Sequence, residues 1–209
     1  MTAASADART RSKRPTQARS IATFTSILDA ATEIVVELGI QGLNTNIVAE
    51  RARINIGTVY HYFPDKTAIL LELFRLDQQQ RAVYLYQKYR ELPTAPDLGK
   101  WATETFALAL RLRTERPATA QLRRAYRSVP ELVEYDEQDT AQWIEFLSQV
   151  LRERFGALSE ARARHAASVM IETASAIFDS PDAAGRQAQA FLAEAVTMIT
   201  SYLRTLERS

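Results

Sequence analysis

Apolar positions recur along this chain at helical spacing. No alternating apolar and polar run bounded by turn residues interrupts them, so the pattern predicts an all-α fold. The first helix gathers Ile27, Ala31, Ile34, Val35 and Leu38 on one face and is expected to stop at Gly39, a residue suited to a C-terminal cap. Two short helices follow. Asn44 caps the first, which carries Val48 and Ala52 one turn apart with Ile47 beside them, and Asn55 caps the second. The turn Ala52-Arg53-Ile54-Asn55 between them has room only for a helix-turn-helix, with Ile54 buried. A fourth helix is predicted from about Lys66 to Glu91, long enough to connect two subdomains, with Asp65 as its cap. Pro93 and Pro96 break it. Asp97 opens a helix to about Glu115, Pro117 a short one to near Arg127, and Ser128-Val-Pro-Glu131 reads as a capping box for a helix ending at Gly156. Ser159 starts the next, and Ser180-Pro181 both ends it and begins the last. Three regions result: residues 1–19 as a basic arm, 20–66 as a three-helix domain with the helix-turn-helix at about 44–63, and 67–209 as a second helical domain.

The second short helix carries the clearest chemical signal. At 100° per residue, Val59 and Phe63 share one side with Ile56 nearby, facing the rest of the domain. Gly57, Thr58 and His61 fall on the opposite side, with Tyr60 and Tyr62 on its two edges. Glycine inside a helix costs about 1 kcal/mol relative to alanine, and close approach of the backbone to another surface is one compensation. A helix with a bare centre, a hydroxyl, an imidazole and flanking phenols can enter a major groove, reading base edges along its middle and touching phosphates at both lips. Lys66, in the first turn of the next helix, adds a cation to exposed N–H groups, the makings of a phosphate clamp. The alternative is a solvated surface helix with an incidental glycine.

In order along the chain, Ile27–Ala31 (ILDAA), Glu37–Gly39 (ELG), Gly42–Thr45 (GLNT), Val48-Ala49 and Gly57–Lys66 (GTVYHYFPDK) resemble the N-terminal domain of TetR-family transcriptional regulators, over roughly residues 20 to 80. The resemblance implies an all-helical homodimer whose first three helices bind a palindromic operator. Its C-terminal helices would then form a small-molecule pocket and the dimer interface. Carried onto this chain, the family's contacts with double-stranded DNA fall on Thr45, Asn55, Ile56, Gly57, Thr58, Tyr60, His61 and Lys66, and we add Asn46, Arg53 and Tyr62 as candidates. Two positions depart from the family pattern. Arg53 stands where the family usually has a turn glycine, so the turn either avoids the left-handed conformation or tolerates strain, and Arg53 is a possible phosphate contact. Ile56 lies on the inward side although the family often turns that position toward DNA.

Composition adds limits. The chain has 209 residues, a formal net charge of +1 and no cysteine, which excludes disulfides and thiolate chemistry. With no apolar stretch of membrane-spanning length and no secretory leader pattern, a cytoplasmic protein without membrane association is expected. The near-neutral charge is low for a DNA binder, but the first twenty residues hold Arg9, Arg11, Lys13, Arg14 and Arg19 against Asp7 alone. Such an arm can reach a minor groove or flanking phosphates, or serve only as a solubilising tail. Two histidines, no metal-ligand spacing and no glycine-rich phosphate loop leave catalysis, metal binding and a cofactor without residues to perform them.

The last two helices carry apolar stripes with small residues interspersed. Met170, Ala174 and Ile177, with Phe191, Ala195, Ile199 and Tyr202, are the candidates for a four-helix dimer interface. Dimerisation matters because one recognition helix reads too few bases, whereas two about 34–36 Å apart engage successive major grooves. Aromatic residues of the middle helices (Tyr84, Trp101, Phe106, Tyr126, Trp143 and Phe146, with Met170) are candidates to line a cavity for a mostly apolar effector, or are plain core. The expected function is a sequence-specific transcriptional regulator, a repressor released by such a ligand. The alternatives are a DNA binder of the same kind without an effector, and a helical-bundle enzyme or carrier.

Overall fold

A computed structural model describes residues 14–114, 118, 121–123, 126–183 and 187–208, and these are helical with no strand. Most of the basic arm, residues 1–13, lies outside them. The long elements are α1 (Ala18–Gly42), α2 (Thr45–Arg51), α3 (Ile56–Tyr62), α4 (Lys66–Arg90), α5 (Leu98–Thr114), α6 (Pro130–Arg154), α7 (Glu160–Asp179) and α8 (Ala188–Glu207). Five of the capping residues foreseen from sequence do their work. Asn44 accepts the Ile47 amide at 3.0 Å, Asn55 that of Gly57 at 2.7 Å, Asp65 that of Ala68 at 2.9 Å and Ser159 that of Arg162 at 3.3 Å. Asp97 takes two amides, from Gly99 and Lys100, and these bonds hold its carboxyl below the ordinary carboxylate range. Gly39 breaks α1 with a φ of 70°, a conformation glycine reaches without a Cβ clash, and the chain then resumes for one more helical turn. Two boundaries differ, the first being this run of α1 to Gly42 rather than Gly39, and the short helix expected from Pro117 to near Arg127 lies partly outside the described residues. Pro181–Ala183 form a separate 3₁₀ turn, and the last helix starts at Ala188 rather than at Ser180.

The chain divides into two compact units that are not contiguous in sequence. The first runs to Gln78 and takes in the segment ending at Tyr135; the second comprises Gln79 onward through α5, and Asp136 to the C-terminus. The boundary therefore falls within α4, not before it as the sequence suggested. The reason is that Ala68, Ile69, Leu70, Leu73 and Phe74 of α4 are buried in the same core as Phe24, Ile27, Ala31, Val48 and Val59. Leu122 and Leu132 join that core. Glu72, only 4% exposed, lies within the same stretch and accepts from Arg75 at 2.6 and 2.9 Å and from Arg14 at 3.3 Å. A carboxylate this buried requires such partners. Arg14, within the arm expected over residues 1–19, is thereby tied to the domain.

In the second unit α8 lies along α5. Leu98, Trp101, Ala102 and Phe106 share a core with Ala195, Ile199, Leu203 and Leu206, and with Ala163, Ala166, Ala167 and Met170 of α7. Arg154, in the last turn of α6, donates to the Pro93 carbonyl at 3.3 Å and pairs with Glu207 at 3.0 Å, fastening the end of α8.

Candidate nucleic-acid interface

The helix-turn-helix is held at three points. Beneath it, Val59, Tyr62 and Phe63 of the α3 segment are buried, and Phe24 of α1 stacks on Phe63 at 5.0 Å and meets Tyr62 edge-on at 5.8 Å. Each such side chain contributes about 1.5–3 kcal/mol of burial. At the end of α2, Arg51 reaches back to α1, pairing with Glu37 at 2.9 Å and Glu33 at 3.4 Å. The hydrogen bond from Arg51 lowers the Glu37 pKa. Between the two short helices, the Thr45 and Tyr60 hydroxyls are 3.1 Å apart, a hydrogen bond from the first residue of α2 to the middle of α3.

The turn itself resolves the question left by Arg53. The Arg53 amide donates to the Glu50 carbonyl at 3.1 Å and the Ile54 amide to the Ala49 carbonyl at 3.0 Å, the paired bonds of a Schellman termination. That pattern needs a left-handed residue, and Arg53 takes it with a φ of 56°. A side chain there costs about 1–2 kcal/mol that glycine avoids. Ile54, expected to be buried, and Ile56, expected on the inward side, are both partly buried against the core.

On the outer side, Asn46, Arg53, Asn55, Gly57, His61 and Lys66 are exposed and Thr58 is partly so. Tyr60 is 51% exposed although its hydroxyl is engaged. Thr45, a candidate contact from sequence, is buried instead, its hydroxyl engaged with that of Tyr60. Tyr62 requires correction: it is 8% exposed and packed on Phe24, so it does not flank the outer surface. Periodicity placed it at an edge, and the contact from α1, distant in sequence, turned that edge into core. Gly57 also has a local explanation that sequence could not supply. A Cβ built there would stand 3.1 Å from Asn55 Oδ1, the atom that caps the helix. Arg51 and its two glutamates had no sequence signal, since they meet only once α2 folds against α1.

Among the aromatic candidates, Trp143 stacks face to face on Tyr86 at 4.2 Å, Phe146 meets Tyr86 edge-on at 4.5 Å, and Tyr89 bridges Trp101 and Trp143. Burial pushes the Tyr89 phenol up to about 12. Phe106 packs separately on Phe178, and Met170 belongs to the core of the second unit. Tyr84 is 51% exposed and is no interior residue, and the Tyr126 side chain lies outside the described residues. Tyr86 and Tyr89, which hold the rings together, were not among the sequence candidates.

Of the dimer candidates, Met170, Ala195 and Ile199 are buried in the core of the second unit, the latter two on the helix that lies along α5, so they are not free to form an interface. Ala174, Ile177, Phe191 and Tyr202 are partly buried, while Val169 and Met198, neither foreseen, are 57% and 47% exposed. Among the described residues no group of three His, Asp or Glu side chains could hold a metal, and no helix is long and apolar enough to cross a membrane.

Comparison with known proteins agrees with this architecture. Residues 27–73 match the family described as bacterial regulatory proteins, tetR family, and residues 97–203, just over half of the chain, match the tetracyclin repressor-like C-terminal domain. The chain belongs to the TetR family and is a DNA-binding transcriptional regulator. The fatty acid metabolism regulator protein of Bacillus subtilis (strain 168) is 31% identical over 74 residues, 35% of this chain and 38% of that protein, so the match spans well under half of that relative. Among solved structures, Salmonella enterica GusR superposes with a TM-score of 0.68 at 19% identity, covering 94% of this chain and 100% of that one. The fatty acid degradation regulator FadR from Bacillus halodurans gives 0.62 at 18% identity, covering 91% and 96%. At these identities the likeness concerns the fold.

Proposed function

We propose that the protein is a homodimeric repressor that places α3 of each subunit in successive major grooves of a palindromic operator and is released by a small, mostly apolar ligand. One observation carries the reading: α3 is pinned from below by Val59, Tyr62 and Phe63, while Asn55, Gly57, Tyr60 and His61 stand exposed above. In this reading Asn55, Gly57, Thr58 and His61 face the bases. Tyr60, backed by Thr45, meets phosphate at one lip, with Asn46 beside it, and Lys66 at the start of α4 meets phosphate at the other. The half-exposed Val169 and Met198 support a two-fold contact through α7 and α8.

The effector class is supported by the ring cluster and by the fatty acid regulators among the similar proteins. Helix α4 carries Lys66 at one end and Tyr86 and Tyr89 toward the other, so a ligand that displaces those rings moves the helix that begins at the phosphate contact. Shifting the population from 1:99 to 99:1 requires the ligand to favour the released form by about 5.5 kcal/mol. The close stacking of Tyr86 on Trp143 favours a second reading, a regulator without an effector.

The test is selection of bound fragments from genomic DNA, followed by sedimentation of the complex and titration with fatty acids of increasing chain length. A palindromic motif bound by a dimer and released by one range of chain lengths supports the proposal. A motif that no acyl ligand releases supports the second reading, and equal affinity for all duplexes refutes both.

A further inference from the structure

We infer that Arg53 is an additional DNA-backbone contact, retained in a strained turn because its side chain acts outside the fold; the inference rests on the DNA-binding reading of α3. Among the described residues it is the one non-glycine side chain at positive φ. The two Schellman bonds leave the turn no other conformation, so glycine or asparagine would suit this position better than arginine.

Among the described residues nothing offsets that strain. Arg53 is exposed, and its guanidinium makes no ion pair or side-chain hydrogen bond with the described residues. Arg51 supplies the contrast: two residues earlier on the same helix end, it binds Glu37 and Glu33 and serves the domain itself. Strain kept without internal compensation points to a role in binding. Position gives the partner. Arg53 precedes by two residues the cap Asn55, whose side chain orients the first turn of α3 around exposed Gly57. A long cation at that end of a groove-reading helix meets the phosphates beside the groove rather than base edges, and phosphate contacts carry little sequence information. Thr25 and Ser26 of α1 line a groove of about 500 Å³ with Arg53 and add neutral donors; Asp29 and Glu33 line the same groove, and Arg51 pairs with Glu33.

The experiment compares Arg53→Gly and Arg53→Asn with the parent dimer, measuring thermal midpoint and the affinity for a selected operator and for unrelated duplex across a salt series. Both variants should melt about 2–4 °C higher, since the left-handed residue is no longer penalised. Both should bind operator and unrelated duplex several-fold more weakly, by the same factor. The slope of log K against log salt should fall by about 0.9 for each Arg53 engaged. Higher midpoints with unchanged slopes would overturn the contact, and unchanged midpoints would overturn the strain argument. A loss confined to operator would make Arg53 a base reader instead. Failure of the parent protein to prefer any duplex is a separate result, and sinks the α3 reading rather than this assignment.

Discussion

Replacing Gly57 by alanine separates the two explanations of that glycine. The new methyl would stand 3.1 Å from Asn55 Oδ1, so the carboxamide or the helix start must shift by a few tenths of an ångström. Loss of such a cap costs about 1 kcal/mol. Alanine in place of glycine recovers up to about 1 kcal/mol of helix propensity, less in a first turn than in a helix interior. The effects nearly offset, so unfolding should change by no more than about 1 kcal/mol, or about 2–4 °C in midpoint for a chain of this size. DNA is affected differently. Gly57 lies on the exposed side of α3, and a methyl there holds the backbone away from base edges; the expected loss at a selected operator is at least tenfold, about 1.4 kcal/mol. Urea melts and fluorescence anisotropy on the same preparations measure the two quantities. A variant that keeps its midpoint and binds operator within twofold of the parent would refute close approach at Gly57, and leave the cap as the sole reason for the glycine.

Two further outcomes follow from contacts in the same domain. In a double-mutant cycle of Thr45→Val and Tyr60→Phe, unfolding should show a coupling of about 0.5–1.5 kcal/mol from the single hydroxyl pair; strict additivity would mean the bond contributes nothing. The lowered Glu37 pKa, caused first by its hydrogen bond from Arg51, adds stability above the unfolded carboxylate value that disappears as pH falls through the lowered folded value. Glu37→Gln should therefore flatten stability against pH in the acid range only, and an equal change at neutral and acid pH would show that ionisation is not involved.

Much of the fold was legible because its punctuation is local. Asn44, Asn55, Asp65, Asp97 and Ser159 act within three residues of themselves, and Gly39 kinks α1 by its own backbone freedom. Features that failed depend on distant partners. Tyr62 sits at an edge in any helical projection, and only Phe24 decides that this edge is interior. The stripe of Met170, Ala195 and Ile199 correctly signals burial but cannot say against what, and the core of the second unit, with α5 along α8, takes it up. Helix α4 shows no apolar side because its first half is enclosed by protein, with Glu72, Asp77 and Gln78 buried beside the leucines. A pattern of that kind hides a domain boundary. For Arg53 the sequence posed the right question, and the backbone bonds answered it.

The hold that Arg14 has on Glu72 bears on how the amino-terminal tail can be studied. A truncation ending at residue 13 trims basic residues and keeps the Arg14 contact. One ending at 14 strips a cation from an enclosed carboxylate, and one reaching 18 also removes the residue that opens α1. Shortened versions that lose DNA affinity therefore speak about the tail only when the cut spares that arginine.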